Sequence, residues 1–341
     1  MKIISYAIPC YNSADYMDRC IKSLLPGGED VEIIIVDDGS TKDDTPAKAD
    51  EWAARYPGII KAIHQENKGH GGAVNTGMAA ATGLYFKVVD SDDWLDVASA
   101  DIMLSKIKEF IANDTQVDML IANYVYEHMV DNTQKEIKYD FAIPKNKIIG
   151  WDDMGNFKVS QNLLMHSVIY RTEVLREAHT QLPEHCFYVD NIFVFQPYPY
   201  VKTLYYLDVP LYRYFIGRED QSINEKVMVG RIDQHYRVTR LMIDYAIDQA
   251  DLVTSERLRK VRENYLAMMM AIASSLTVLS PTPENLQKRR DLWEYLRSRD
   301  PELCHRCRYG LRCLGTNFPG PAGRKLSLFF YRVAQKLYKF S

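Results

Sequence analysis

The stretch "VEIIIVDDGSTKDDTPAKADEWAARYPGIIKAIH", residues 31–64, decides the fold. It opens on an apolar run that stops abruptly at Asp37 and Asp38, continues through a turn-rich segment into an amphipathic run, and closes on a second apolar run, "IIKAIH". An apolar run bounded by turn residues suits a strand covered on both faces, and two such runs joined by a helix make a βαβ unit. The same pattern extends outward. "KIISYAI" and a helix through "DYMDRCIKSLL" precede it, and a helix in "GGAVNTGMAAATG" and the strand "LYFKVVD" follow. The first third therefore predicts an α/β, Rossmann-like, mostly parallel sheet flanked by helices. From Val117 onward, shorter aromatic-rich runs such as "VDMLIANYVY" and "TLYYLDVPLYRYF" predict a mixed-sheet second half of the same domain. After about Asn224 the periodicity becomes helical, which predicts a C-terminal helical extension with "SPTP" at 280–283 as a break and Met268, Met269 and Met270 as core packing.

In such sheets ligands lie beyond the carboxyl ends of the strands. Three of the predicted strands end in chemically loaded residues: Pro9 to Asn12, Asp37 and Asp38, and the run "FKVVDSDDWLD" of residues 86–96 with Asp90, Asp92 and Asp93. They should converge on one cleft. Carboxylates this close repel one another unless water or a cation separates them. Asp90 and Asp92 are two apart, so in an extended chain both leave the same face and can share one divalent ion. The alternative is that Asp92 and Asp93 cap a helix beginning near Leu95. A second acidic cluster, "VDDGS" at 36–40, falls at the same predicted sheet edge and favours a nucleotide held partly through a metal.

Composition narrows the class. The chain has 341 residues, 47% of them hydrophobic and 26% charged, which excludes a disordered chain, a collagen-like repeat and a disulfide scaffold. At this length roughly three quarters of the unfolded surface can be buried, enough for a large domain and an appendage. The net charge of −3 hides an asymmetry: 34 basic and 45 acidic residues up to Glu302 leave −11, and the remainder, with no acidic residue, carries +8. The N-terminus "MKIISYAIPCYN" enters a strand pattern without a cleavable apolar segment, so the expected location is cytoplasmic, peripheral at the inner face of the cell membrane if the tail docks there. The longest apolar stretch, Leu266 to Leu279, falls short of the ~20 residues that span a bilayer. Cys304, Cys307, Cys313 and His305 in "CHRCRYGLRC" match no paired zinc spacing and lie among arginines, which favours reduced thiols over a zinc site.

The segments "AIPCYNSADYMDRCIKSLL", "IIIVDDGSTKDDT", "ENKGHGGAVNTGMAAATGLYFKVVDSDDWLD" and "GREDQSIN" resemble, in order, those of the family 2 glycosyltransferases, inverting enzymes of the GT-A fold. The resemblance spreads over about residues 1–225. It implies transfer of a sugar from a nucleotide donor, commonly a UDP-sugar, with Mn²⁺ or Mg²⁺ bridging carboxylate and pyrophosphate. It further implies that Pro9, Tyr11 and Asp38 hold uracil and ribose, that Asn67 and Lys68 contribute to the donor site, that Asp90 approaches ribose and pyrophosphate, and that Asp92 is the principal metal ligand beside Asp90. Tyr11 either stacks on the base or covers the sheet edge, and Asp38 to Thr41 either bind or form a turn and helix cap. Many relatives carry an Arg where this chain has Val74 before Asn75, so Lys68 or His70 would have to supply the missing charge. The glycines at 69, 71 and 72 allow either close approach of donor or a tight loop into the helix.

Inversion needs a base for the acceptor hydroxyl. In "EHCFYVDNIFVF" the family's usual Glu-Asp pair reads Val189-Asp190, leaving Asp190 as the implied base, with helix N-capping the alternative. "YRYFIGREDQSIN" resembles the family's loop over the donor and implies phosphate pairing by Arg218 and hydrogen bonds from Gln221 and Ser222, while Arg213 reads as structural. The expected organisation is a GT-A domain at 1–225, a helical extension at 226–318 and a basic amphipathic tail at 319–341. In that tail Leu326, Phe329, Phe330, Val333, Leu337 and Phe340 form one helical face flanked by basic residues, suited to an anionic membrane surface. The expected partners are thus a nucleotide sugar, a glycan or lipid-linked acceptor and that membrane, with no nucleic acid. Two rivals stand: a nucleotidyltransferase that makes sugar nucleotides, against which "PCYNS" replaces the expected Gly-rich, Arg-containing loop, and a membrane-docked binding protein that keeps the fold without turnover.

Overall fold

A computed structural model describes residues 1–128, 131–159, 161–217 and 224–338. The chain divides into two units, one of residues 1–156 and 163–217, the other of residues 157–162 and 218–341.

The first unit is built on one ten-stranded sheet. Its strands are β1 (Ile4–Cys10), β2 (Val31–Asp37), β3 (Ile60–His64), β4 (Tyr85–Val88), β5 (Trp94–Leu95), β6 (Met119–His128), β7 (Thr133–Ile137), β8 (Ile148–Ile149), β9 (Val168–Arg171) and β10 (Leu204–Ile216). The order is β3-β2-β1-β4-β9-β6-β10-β5, with β7 on β6 and β8 on β10. The first four strands are parallel, as the all-apolar runs predict; β9 then enters antiparallel to both β4 and β6, and β10 lies parallel to β6. The expected mixed second half therefore begins at β9. β10 shifts register on either side of Pro210, the residue that cannot donate to a ladder.

The helices of this unit are α1 (Met17–Leu24), α2 (Thr45–Arg55), α3 (Gly69–Ala80), α4 (Val97–Ala112), α5 (Thr172–Glu177) and α6 (Asp190–Phe195). In α1 the buried Met17, Cys20, Ile21 and Leu24 fall at i, i+3, i+4 and i+7, one stripe against the sheet. In α4 Ala100, Met103, Leu104, Ile107 and Phe110 do the same. Each such apolar side chain contributes about 1.5–3 kcal/mol when fully buried. Strand order reverses at β1, with β2 on one side and β4 on the other, so the crevice of the parallel half opens where the loops after these three strands meet.

The second unit is helical: α7 (Glu225–Gly230), α8 (Ile232–Asp248), α9 (Glu256–Leu279), α10 (Pro283–Arg299), α11 (Pro301–Tyr309) and α12 (Gly320–Tyr338). Met269 and Met270 are core residues of α9, as their run predicts. Cys304, Cys307 and Cys313 are buried reduced thiols; the Sγ of Cys313 donates to the carbonyl of Ala267 at 3.2 Å. No helix among the described residues is long and apolar enough to cross a membrane.

Candidate active site

The three strand-end loops are tied together by short polar side chains. Asn12 takes a left-handed backbone at φ 50°, which Asn tolerates, and this turns its side chain toward the loop after β2. There its Oδ1 accepts the amides of Thr41 (3.2 Å) and Lys42 (3.0 Å), and its own amide donates to Ser40 Oγ at 2.9 Å. Ser91, in the loop after β4, donates to Ser13 Oγ at 2.9 Å. Asp38 draws in the chain after β3: its Oδ1 accepts from Gln65 Nε2 (2.6 Å) and the Lys68 amide (2.8 Å), while Asn67 Nδ2 donates to its carbonyl at 3.0 Å. The convergence predicted from the strand ends is therefore present.

At its centre stands Asp90. Oδ1 lies 2.8 Å from His70 Nε2, Oδ2 lies 3.7 Å from His166 Nε2, and the Asp90 amide donates to Tyr212 Oη at 3.1 Å. Burial alone would raise the Asp90 carboxyl, but the neighbouring imidazoles of His166 and His70, the latter hydrogen-bonded, outweigh it and hold the group well below the carboxylate range. His70 responds in kind: burial opposes its imidazolium, yet the bond to Asp90 prevails and raises it. Asp93 differs. It is fully buried, its Oδ2 accepts from Tyr212 Oη at 2.6 Å and its Oδ1 from the Phe215 amide at 2.8 Å. Burial, then the charges of Asp92 and Asp90, push its carboxyl well upward. Among the described residues, Asp90, Asp93 and His166 bring ligand atoms within 4.8 Å of one another; with both Asp93 oxygens already bonded to Tyr212 and Phe215, the Asp90 carboxylate and the His166 imidazole are the donors of this group that suit a divalent transition ion such as Mn²⁺.

Asp190 opens α6 as its first residue, and Val189, which makes no side-chain cap bond, precedes it. The capping alternative is thereby removed. Burial raises the Asp190 carboxyl, the charges of His166 and His70 pull it down less strongly, and Asp90 adds to the rise. The capping alternative for Asp92 and Asp93 also fails: Trp94–Leu95 is a short strand, α4 begins at Val97, and Asp96 caps it by accepting the Ser99 amide at 3.0 Å. An Asp that follows a strand and precedes a helix by one residue is a better cap than one displaced into the sheet edge.

The remaining predicted residues are distributed as follows. Pro9 is buried within β1, and Tyr11 is 49% exposed beyond its end. Lys68 is exposed and pairs with Glu184 at 3.6 Å, whereas His70 is the basic group that reaches the acidic centre. Arg213 is structural, bonding Glu127 at 2.9 Å and Asp96 at 3.1 Å. Arg218, Gln221 and Ser222 lie outside the described residues. Glycine is demanded at 71 by the chain's own packing, since a Cβ there would stand 2.4 Å from the carbonyl oxygen of Pro183. At Gly69, with φ 74°, a Cβ would meet His185 at 3.0 Å. Both glycines thus serve the turn into α3 and its seat on residues 182–185.

Three participants gave no sequence signal. His166 sits in "LLMHSV", an isolated imidazole whose ring lies 4.7 Å from that of Tyr212 and 4.6 Å from that of Tyr214. Lys87 alternates with apolar residues in β4, yet it is wholly buried and donates to the carbonyls of His166 (2.7 Å) and Val168 (3.3 Å); burial lowers it to about 7. Arg19 lies over Trp94, 3.5 Å from the ring centroid, and reaches the Asp92 carbonyl at 3.5 Å.

The chain is 28% identical over 306 residues to "Putative glycosyltransferase EpsH" of Bacillus subtilis (strain 168), a match covering 86% of this chain and 81% of that protein. It is 38% identical over 108 residues to "Chondroitin synthase" of Escherichia coli, spanning only 16% of that protein's length. Its fold is similar to that of S. aureus TarS 1-349 crystallised with UDP-GlcNAc, with a TM-score of 0.68 at 19% identity over 98% of this chain and 92% of that one. Residues 5–172 match the family model "Glycosyl transferase family 2". The chain belongs to glycosyl transferase family 2 and adopts that family's GT-A fold.

Proposed function

We propose that this glycosyltransferase moves a sugar from a UDP-linked donor, with inversion, to a hydroxyl of a lipid-linked or surface-polysaccharide acceptor. The observation that carries the reading is the coupled cluster Asp90, His70, His166 and Asp190 beside the loops after β1, β2 and β4. Support for uridine comes from TarS, which shares the fold and was crystallised with UDP-GlcNAc. In this reading the half-exposed ring of Tyr11 stacks on the base and the second carboxylate oxygen of Asp38 accepts the uracil N3–H, while Asn67 and Lys68 border the donor. Asp90 and Asp92 would hold Mn²⁺ or Mg²⁺, with the His166 imidazole beside them; Asp93 is already committed to Tyr212 and Phe215. A bound ion there would neutralise the charge that a diphosphate leaving group gains.

Asp190 takes the acceptor proton. A carboxyl raised by burial is a stronger base than an exposed one, and its place among His70 and His166 keeps the ionised form accessible. The test is incubation of the full chain with a panel of sugar nucleotides, Mn²⁺ and hydroxyl acceptors, monitoring nucleoside diphosphate release and the anomeric configuration of the product. Release of UDP with inversion supports the reading. Release of pyrophosphate from a nucleoside triphosphate and a sugar phosphate would replace it with the nucleotidyltransferase, and no turnover with any donor would replace it with the binding protein.

A further inference from the structure

The second unit presents an apolar face that no described residue of that unit covers. α12 buries Ser327, 3% exposed, and half-buries Leu328 and Tyr331, but it turns Leu326, Phe329 (61% exposed), Phe330 and Val333 outward. A helix packed for stability alone does the reverse. The turn before it extends the same patch. Gly315 lies against Phe330, so close that a Cβ would be 3.2 Å from the Phe330 Cβ, and Leu311 (73% exposed) and Leu314 flank that turn.

Charge segregates at the same place. Elsewhere in this unit several cations meet carboxylates, Arg259 with Glu256 and Glu263, Lys288 with Asp233 and Glu284, Arg299 with Asp244 and Asp248, Arg332 with Glu225, and Arg312 is held by backbone carbonyls. Near the start of α12, Arg289 stands within reach of the charges of Arg324, Arg308 and Arg290, Lys325 follows Arg324, and among the described residues none of the five pairs with a carboxylate. The Nη1 of Arg289 has no hydrogen-bond partner in the structure. Uncompensated cations cost stability unless a polyanion answers them, and here they border aromatic side chains exposed to solvent. An exposed apolar patch of this kind rimmed by unpaired cations fits a surface that is itself apolar beneath and anionic above.

We infer that this face of the helical unit docks on an anionic lipid bilayer, with Phe329, Phe330, Leu326 and Val333 entering the headgroup boundary and Arg308, Arg324 and Lys325 meeting the lipid phosphates. The expectation drawn from the tail's periodicity is thereby given its orientation and its counterpart in α10, α11 and the turn at 310–316. The inference stands apart from the sugar-transfer reading, since it uses none of the residues of the acidic site.

The test is co-sedimentation of the full chain with phosphatidylcholine vesicles and with mixed phosphatidylcholine and phosphatidylglycerol vesicles, at low and high salt. The wild-type chain should bind the anionic vesicles about tenfold or more better than the neutral ones, and lose that advantage in high salt. Two variants separate the contributions: F329S/F330S, and R308Q/R324Q/K325Q. Each should weaken binding to anionic vesicles about tenfold while melting like the wild type. Binding indifferent to lipid charge, or wild-type binding by both variants, overturns the inference. So does a concentration-dependent dimer that forms without lipid and disappears in F329S/F330S, because the face would then cover a second copy of the chain.

Discussion

The acidic end of the sheet and the outer face of the C-terminal helices both gather charge, and they do so under opposite physics. Around Asp90 the charges are partly or wholly buried beside Tyr212 and Tyr214, so neighbours a few ångströms away set each group's protonation. Around Arg324 the cations lie nearer the surface and, among the described residues, pair with no carboxylate, so their pull on an anion is screened by salt. A fold spends stability to bury carboxylates only where position matters, which marks the first region as chemistry. In the docking inferred above, the second region would serve attraction to an anionic surface.

The largest effect expected from breaking this contrast is at Asp190. Asp190→Asn keeps the shape and removes the base, so steady-state turnover should fall by about 10²–10⁴-fold while UDP affinity holds; loss of both together would make the residue a donor contact. Asp92→Asn should come next, with Mn²⁺-dependent UDP binding reduced about tenfold or more at an unchanged melting temperature. Calorimetry that finds equal affinity in the variant would remove Asp92 from the ion's ligands.

How much of this could be read beforehand follows the same division. Strand β2 with its two terminal aspartates, and the βαβ rhythm around it, were legible because an apolar run against a charged stop has few alternatives. Asp90 and Asp190 were legible as positions in ordered motifs. His166 and Lys87 were not, because a single imidazole before β9 or a lysine inside β4 acquires meaning only from the strands that pair beside it, and β9 inserts between β4 and β6 from far along the chain. Helix starts were displaced by two residues at α4, since the signal from Asp92 and Asp93 obscured the true cap at Asp96.

A pH dependence sharpens the comparison from the second unit. His235 in α8 is 2% exposed, and burial lowers it from the usual 6.5 to about 4. The unfolded chain therefore binds the proton first, so stability is complete above pH 6.5 and falls as pH drops toward 4, by about 1.4 kcal/mol per unit at most. Urea titrations at pH 7.5 and 5 should show this loss, and His235→Leu should flatten it. An equal pH slope in the variant would assign the dependence to other groups. A packing test lies at α3: Gly71→Ala pushes a methyl onto the Pro183 carbonyl and should cost about 1–3 kcal/mol in the same titration, whereas a neutral result would mean that residues 182–185 yield freely.

The central claim is that the strand-end loops form one nucleotide site completed by a divalent ion. Isothermal titration of the full chain with UDP and with GDP, each with Mn²⁺ and with chelator, tests it most directly. The account predicts that UDP binds in Mn²⁺, weakens about tenfold or more in chelator, and outcompetes GDP. UDP affinity that ignores the ion, or GDP that binds as well as UDP, would contradict it.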